Sequence, residues 1–281
     1  MRKDIVEIIT TIYDRSKPKI INIPTNGILT KKIVNDVKKI ANHCKESKII
    51  INLSIDGIGY QHDDIRNVDN CFVKVTDTFT KLKSVKIRNL SIGIHTVVSN
   101  FNVNDFARIS SKLLAMDPDS YITEIAENRV ELGTMKSNIT PSLLKYKSAI
   151  DFLIHRIKQT KYTGMQRITQ SFRIEYYQLV KRILRDKKQV IPCYSGFASV
   201  QISPDGNIWP CCVKAVNTGN LRKSRYNFRK IWFDDKMKIQ RKSIADQECH
   251  CPLANASYTN MLMDYSTLFR VFYRSFINWW T

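Results

Sequence analysis

No apolar run in this 281-residue chain reaches the length that a membrane-spanning helix needs. It also has no Gly/Ser-rich linker, no low-complexity segment and no repeat beyond an alternation of strand and helix, so neither a flexible tether nor a solenoid array is expected. No signal peptide is read at its start. Its seven cysteines therefore point to a reducing, cytoplasmic setting and to metal ligation rather than to disulfides. Acidic residues are scarce: 25 Asp and Glu stand against 45 Lys and Arg, a net charge of +20. Such a charge suits a nucleic acid, an anionic membrane surface or an acidic substrate. No nucleic-acid recognition motif accompanies it, so no specific nucleic-acid partner is expected. The lysine pairs Lys31-Lys32, Lys38-Lys39 and Lys187-Lys188 fall on predicted helix faces and read as solvated surface.

What is present is a globular pattern, 43% hydrophobic, long enough for one large domain or two smaller ones. Strand and helix alternate four times. A helix begins the chain, with Ile5, Ile8 and Ile9 on one face. Strands are expected at Lys19–Ile23, Ile49–Ile55, Leu90–Ser99 and Ser120–Glu127, and helices at Thr30–Lys45, Asn70–Ser84 and Val103–Met116. Thr140-Pro141 is expected to start a helix reaching about Thr160, and a further helix spans Ile168–Lys187. The fold class is α/β: near-continuous apolar strands separated by helices predict a parallel sheet, as a partial (β/α) barrel. The expected domains are a partial barrel over 1–165, a helical linker over 166–190, and a cysteine-rich β-hairpin module with a C-terminal helix over 191–281.

The chemistry concentrates between Ile191 and Cys212. Cys193 opens this stretch. Ala198–Ile202 alternates like a strand, Pro204-Asp205-Gly206 is a tight turn, and Asn207–Trp209 begins the return strand towards Cys211 and Cys212. Such a hairpin brings distant thiols together, and Cys249-His250-Cys251 supplies two more. Four soft thiolates at one point suit an iron–sulfur cluster or zinc. The chosen ligands are Cys193, Cys211, Cys249 and Cys251. Cys212 is the reserve, because adjacent residues of an extended backbone point to opposite sides. Cys44 and Cys71 stand alone on predicted helices and are expected in the core.

The spacing Cys-x12-Gly-x4-Cys followed by a distant cysteine pair resembles the SPASM or twitch auxiliary-cluster module of radical S-adenosylmethionine (radical SAM) enzymes. Ser54-Ile-Asp-Gly57 followed by His62-Asp-Asp-Ile-Arg66 resembles a segment of the same enzymes. Arg2–Ile9, Thr25-Asn26-Gly27 and Ala126–Leu132 resemble other parts of them. The resemblance implies a barrel of the radical SAM type, a [4Fe–4S] auxiliary cluster and S-adenosyl-L-methionine as cofactor. It also implies a peptide or small-molecule substrate and an electron donor. It places Ser54 and Arg66 at the carboxylate of the cofactor, and Asp56, by its position at a strand end, is a candidate to orient the ribose. On the residues alone, Arg66 can instead pair with Asp63 or Asp64, and Asp56 can cap the turn at Gly57. Glu124 and Glu127 are candidates for the barrel mouth or for plain ion pairs, and His62 and His95 are weaker candidates.

Two family features are missing, the three-cysteine motif and the Gly-Gly-Glu-Pro turn. The catalytic cluster of these enzymes is held by Cys-x3-Cys-x2-Cys, and the chain has no such motif. The resemblance therefore implies an N-terminal truncation, with no S-adenosylmethionine cleavage by the chain as it stands. The alternative is a protein that only holds one cluster. At the other end, Tyr265, Leu268, Phe269, Phe272, Phe276, Trp279 and Trp280 fall near helical spacing, with Arg270 and Arg274 opposite. This face is expected to pack on the protein itself, with peripheral membrane contact as the second reading.

Overall fold

The computed structural model describes residues 3–276. The chain forms two compact units, Met1–Glu124 and Ile125–Thr281. They divide earlier than the 166–190 linker expected from sequence.

The first unit alternates helix and strand in the order α1 (Ile5–Ser16), β1 (Ile20–Thr25), α2 (Thr30–His43), β2 (Lys48–Ser54), α3 (Tyr60–Arg66), α4 (Cys71–Lys83), β3 (Leu90–Val98), α5 (Phe106–Leu114) and β4 (Ser120–Ile125). The sheet order is β1-β2-β3-β4, and the β1–β2 and β2–β3 pairs are parallel. The register pairs Ile51 with Ile92, Asn52 with Gly93 and Ser54 with His95. Because side chains alternate along a strand, each strand offers two faces. One carries Ile49, Ile51, Leu53, Ile92, Ile94 and Val98, all buried. The helices follow a different period: α4 buries Cys71, Val75, Thr78, Phe79 and Leu82, a stripe at spacings of three and four. Burying each large apolar side chain contributes about 1.5–3 kcal/mol. The other face carries Asn52, Ser54, Gly93, His95, Ser120 and Glu124. Parallel sheets are usually apolar on both faces, so a polar face marks a surface with another use.

The second unit holds α6 (Leu143–Gln159), α7 (Met165–Asp186), the short strands β5 (Gln201–Ile202), β6 (Asn207–Trp209) and β7 (Gly219–Asn220), and helices α8 (Phe228–Trp232), α9 (Asp235–Ala245), α10 (Ala254–Leu262) and α11 (Tyr265–Phe276). Helix α6 starts two residues later than Thr140-Pro141 suggested, because Ser142 is its N-cap and accepts from the Lys145 N–H. Helix α7 buries Arg173, Ile174, Glu175, Tyr176 and Tyr177 in succession, which places it inside this unit rather than between domains.

Helix α11 corrects the expectation for the C-terminal segment. The aromatic face does not pack. Thr267, Val271 and Ser275 are its buried residues, whereas Tyr265, Phe269, Phe272 and Phe276 are exposed. Arg270 and Arg274, expected on the outer side, both pair with buried Glu175 of α7 at 2.8 Å. Small side chains allow the close approach, and a buried carboxylate needs cations. Trp279 and Trp280 lie outside the described residues.

Candidate functional site

Two groups of residues carry chemistry, one in each unit. In the first unit, Ser54, His95 and Glu124 share the polar face, and His95 Nε2 stands 3.2 Å from Glu124 Oε1. This pair is off the line of a hydrogen bond, and Nε2 has no other partner among the described residues. On the same face, a Cβ at Gly93 would lie 2.4 Å from both Asn52 Oδ1 and Ser120 Oγ, so only glycine leaves room there. Asn52 Nδ2 donates to Asn22 Oδ1 at 3.0 Å, while Asn52 Oδ1 and Ser120 Oγ are buried without a partner among the described residues. Buried polar atoms are ordinarily satisfied, so this strip is shaped to receive a polar group. Its signal in the sequence is slight: single polar residues and a glycine at alternate positions of apolar strands.

Asp56 and Arg66 are bound to each other. Arg66 Nη2 lies 2.6 Å from Asp56 Oδ2, and Asp56 Oδ1 accepts the Val97 N–H at 2.8 Å. Asn102 Nδ2 donates to the Asp56 carbonyl at 2.8 Å and to that of Val97 at 2.9 Å. Arg66 thus pairs with neither Asp63 nor Asp64, and its buried Nε has no partner among the described residues. His62 completes the network. It is fully buried; Nδ1 accepts the Asp56 N–H at 3.1 Å, which leaves the proton on Nε2, 3.5 Å from Cys71 Sγ. These bonds fix the turn after β2.

Burial is the main cause holding the His62 imidazole below its ordinary value of 6.5, opposed by Asp56 and assisted by Arg66. The unfolded chain therefore takes up the proton first as pH falls. Stability present above about pH 6.5 should be lost as pH drops through and below that value. We expect the melting temperature of the protein to fall more steeply between about pH 7.5 and 5.5 than that of His62→Asn. Parallel pH profiles for the two would contradict this role.

In the second unit, β5 and β6 form the expected hairpin, with Gln201 opposite Trp209 and Ile202 opposite Ile208. It is shorter than foreseen, and β7 adds a third strand antiparallel to β6. Gly206 turns it at φ +85°, a left-handed conformation that other residues avoid. Ile208 seats the sheet on Ile231 and Met237.

Cys193, Cys249 and Cys251 line one small cavity of about 30 Å³. Cys211 lies close enough to Cys193, Cys249 and Cys251 for their charges to interact. Cys212 packs with Leu253 and Ala256, and Cys251 lies against the same cluster. His250 between the cysteine pair is exposed. Among the described residues, no three Cys, His, Asp or Glu side chains are close enough to hold one metal ion. Residues not foreseen from sequence hold the thiols in place. Gln189 Nε2 donates to the Ile244 carbonyl at 2.9 Å and to that of Cys249 at 3.0 Å. Asn260 Oδ1 accepts the Tyr194 N–H at 2.8 Å. Tyr176 donates to the Pro252 carbonyl at 3.0 Å. The Lys214 N–H donates to Cys211 Sγ at 3.5 Å.

Burial pushes the thiols of Cys211 and Cys249 up, partly offset at Cys211 by the backbone N–H groups of Lys214 and Val213. Burial and then Glu127 push Cys251 well above its ordinary range, and burial takes Cys212 to about 11. Glu127 is buried beside Arg129 at 3.1 Å. Thiols in such surroundings ionise only with a compensating cation, which a bound metal centre supplies.

Comparison with known proteins adds two findings. SPASM, an iron–sulfur cluster-binding domain, matches residues 193–252. Among solved structures, native anSMEcpe with bound AdoMet and a Cp18Cys peptide aligns over 99% of this chain and 81% of its own, at 15% identity and a TM-score of 0.55. A polyhistidine-tagged anSMEcpe with bound AdoMet aligns over 92% and 73%, at 15% identity and a TM-score of 0.50. At this identity the likeness shows the fold. No curated protein matches the chain.

Proposed function

We propose, for a chain that is a radical SAM/SPASM-type protein by domain and fold, that it holds one [4Fe–4S] cluster through Cys193, Cys211, Cys249 and Cys251. That cluster serves radical modification of a peptide. The observation carrying this reading is the SPASM match, which starts at Cys193 and ends one residue beyond Cys251. The donor set supports it. Three of these thiols line one cavity and the fourth interacts with them. Four thiolates, one for each iron, suit a [4Fe–4S] cluster. The peptide class rests on the peptide-bound relative of the same fold, and a small-molecule substrate is the alternative.

S-adenosyl-L-methionine, with a reduced catalytic cluster and an electron donor, supplies a 5′-deoxyadenosyl radical in such enzymes. Ser54 ends β2 on the polar face, where its hydroxyl can donate to the cofactor. Arg66 fits a carboxylate clamp poorly, because Asp56 already holds one of its nitrogens. We assign Asp56 and Arg66 first to the turn after β2, so that this pair holds the cofactor at most loosely. Free thiols and buried ligands suit a reducing compartment such as the cytoplasm.

A second reading is favoured by one observation: Cys-x3-Cys-x2-Cys does not occur in the 281 residues. On its own the chain is then a cluster-binding protein, and radical generation requires the three-cysteine site in addition. The test is an anaerobic dithionite assay with S-adenosylmethionine. No 5′-deoxyadenosine is expected from this chain; its formation would show that a catalytic cluster is held by other residues.

A further inference from the structure

The geometry points to α11 as a docking face for an anionic lipid surface, independent of the cluster chemistry. Tyr265, Phe269, Phe272, Tyr273 and Phe276 occupy one arc of the helix and are 88%, 69%, 56%, 43% and 52% exposed. The opposite arc is fixed: Thr267, Val271 and Ser275 are buried, and Arg270 and Arg274 are tied to Glu175. Rotation of the helix to hide its rings would break both ion pairs and bring the arginines outward. The aromatic face is therefore held outward by the packing of the other face. Contiguous exposed apolar patches of this kind mark interaction surfaces. Aromatic side chains on an amphipathic helix suit the boundary between headgroups and acyl chains.

Charge selects the occupant. The chain carries +20, so a second copy meets a surface of its own sign, whereas an anionic bilayer attracts it. No helix among the described residues is long and apolar enough to cross a membrane, so the contact is peripheral.

The test is co-sedimentation of the full chain with vesicles of phosphatidylcholine containing about a third phosphatidylserine, beside vesicles of phosphatidylcholine alone. The protein should partition to the anionic vesicles, and less as salt rises. The combined variant Phe269→Ser, Phe272→Ser and Phe276→Ser should partition at least ~10-fold less at an unchanged melting temperature, while the corresponding leucine variant should retain binding. Absence of partitioning to anionic vesicles, or equal partitioning by the serine variant, would overturn the proposal. So would a dimer in solution that the serine variant turns into a monomer, since that assigns the face to a second copy.

Discussion

Replacing Glu175 by alanine is expected to release α11 from α7 at a cost of about 3–5 kcal/mol, because it leaves paired charges without their partner. Glu175 is 3% exposed; its Oε2 accepts from Arg270 Nε and its Oε1 pairs with Arg274 Nη2, each at 2.8 Å. The same arginines make further bonds, Arg270 within α11 and Arg274 to α7. Arg270 Nη2 donates to Thr267 Oγ1 at 2.9 Å, and Arg274 Nη1 to the Ser171 carbonyl at 3.4 Å. Arg182 is close by: burial first and Arg270 second hold it below the ordinary arginine range, opposed by Glu175. Removing the carboxylate would leave Arg182, Arg270 and Arg274 repelling one another. Glu175→Gln keeps acceptor and shape and should cost less. Urea unfolding with limited proteolysis at α11 measures both variants. A loss below ~1 kcal/mol for Glu175→Ala would mean that small-residue packing, not the ion pairs, holds the helix.

The second large effect concerns the thiols. After anaerobic reconstitution with iron and sulfide, Cys193→Ala or Cys249→Ala should lose most of the bound iron. Each removes a thiolate from the cavity where Cys193, Cys249 and Cys251 meet. Loss of one of the four thiolates leaves one iron without its protein ligand. Cys212→Ala should keep its iron, since Cys212 packs with Leu253 and Ala256. Cys44→Ala and Cys71→Ala should keep it as well; both residues are buried in the first unit, and Cys71 faces His62. Iron per chain, with the visible absorption of the cluster, separates the two groups of variants. Full iron in Cys193→Ala would remove this residue from the ligand set.

Much of the fold was legible because strand and helix differ in period. The four strands of the sheet and helices α2, α4 and α5 stand within a few residues of expectation: the apolar run of β2 and the stripe on α4 are local signals that packing reinforces. The hairpin turn was equally local, since Gly206 announces a positive φ. What stayed illegible depends on partners remote in sequence. The aromatic arc of α11 predicts a buried face on any hydrophobic scale. The deciding residue is Glu175, 95 positions before Arg270, and no local pattern reveals that this carboxylate is buried. Helix α3, seven residues long, is too short to carry a periodic signal. Arg66 was expected to face a cofactor or a neighbouring acid in sequence; it faces Asp56, at the other end of the turn. At the cysteine site, spacing singled out four thiols, while the groups that hold them, Gln189 and Asn260, lie outside any motif.

The central claim is that the cysteine module binds one [4Fe–4S] cluster. Anaerobic reconstitution of the unaltered chain, followed by counting iron, acid-labile sulfide and zinc per polypeptide, tests it most directly. About four irons and four sulfides, with no zinc, are predicted. Stoichiometric zinc in place of iron, or iron equivalent to two clusters, would contradict it.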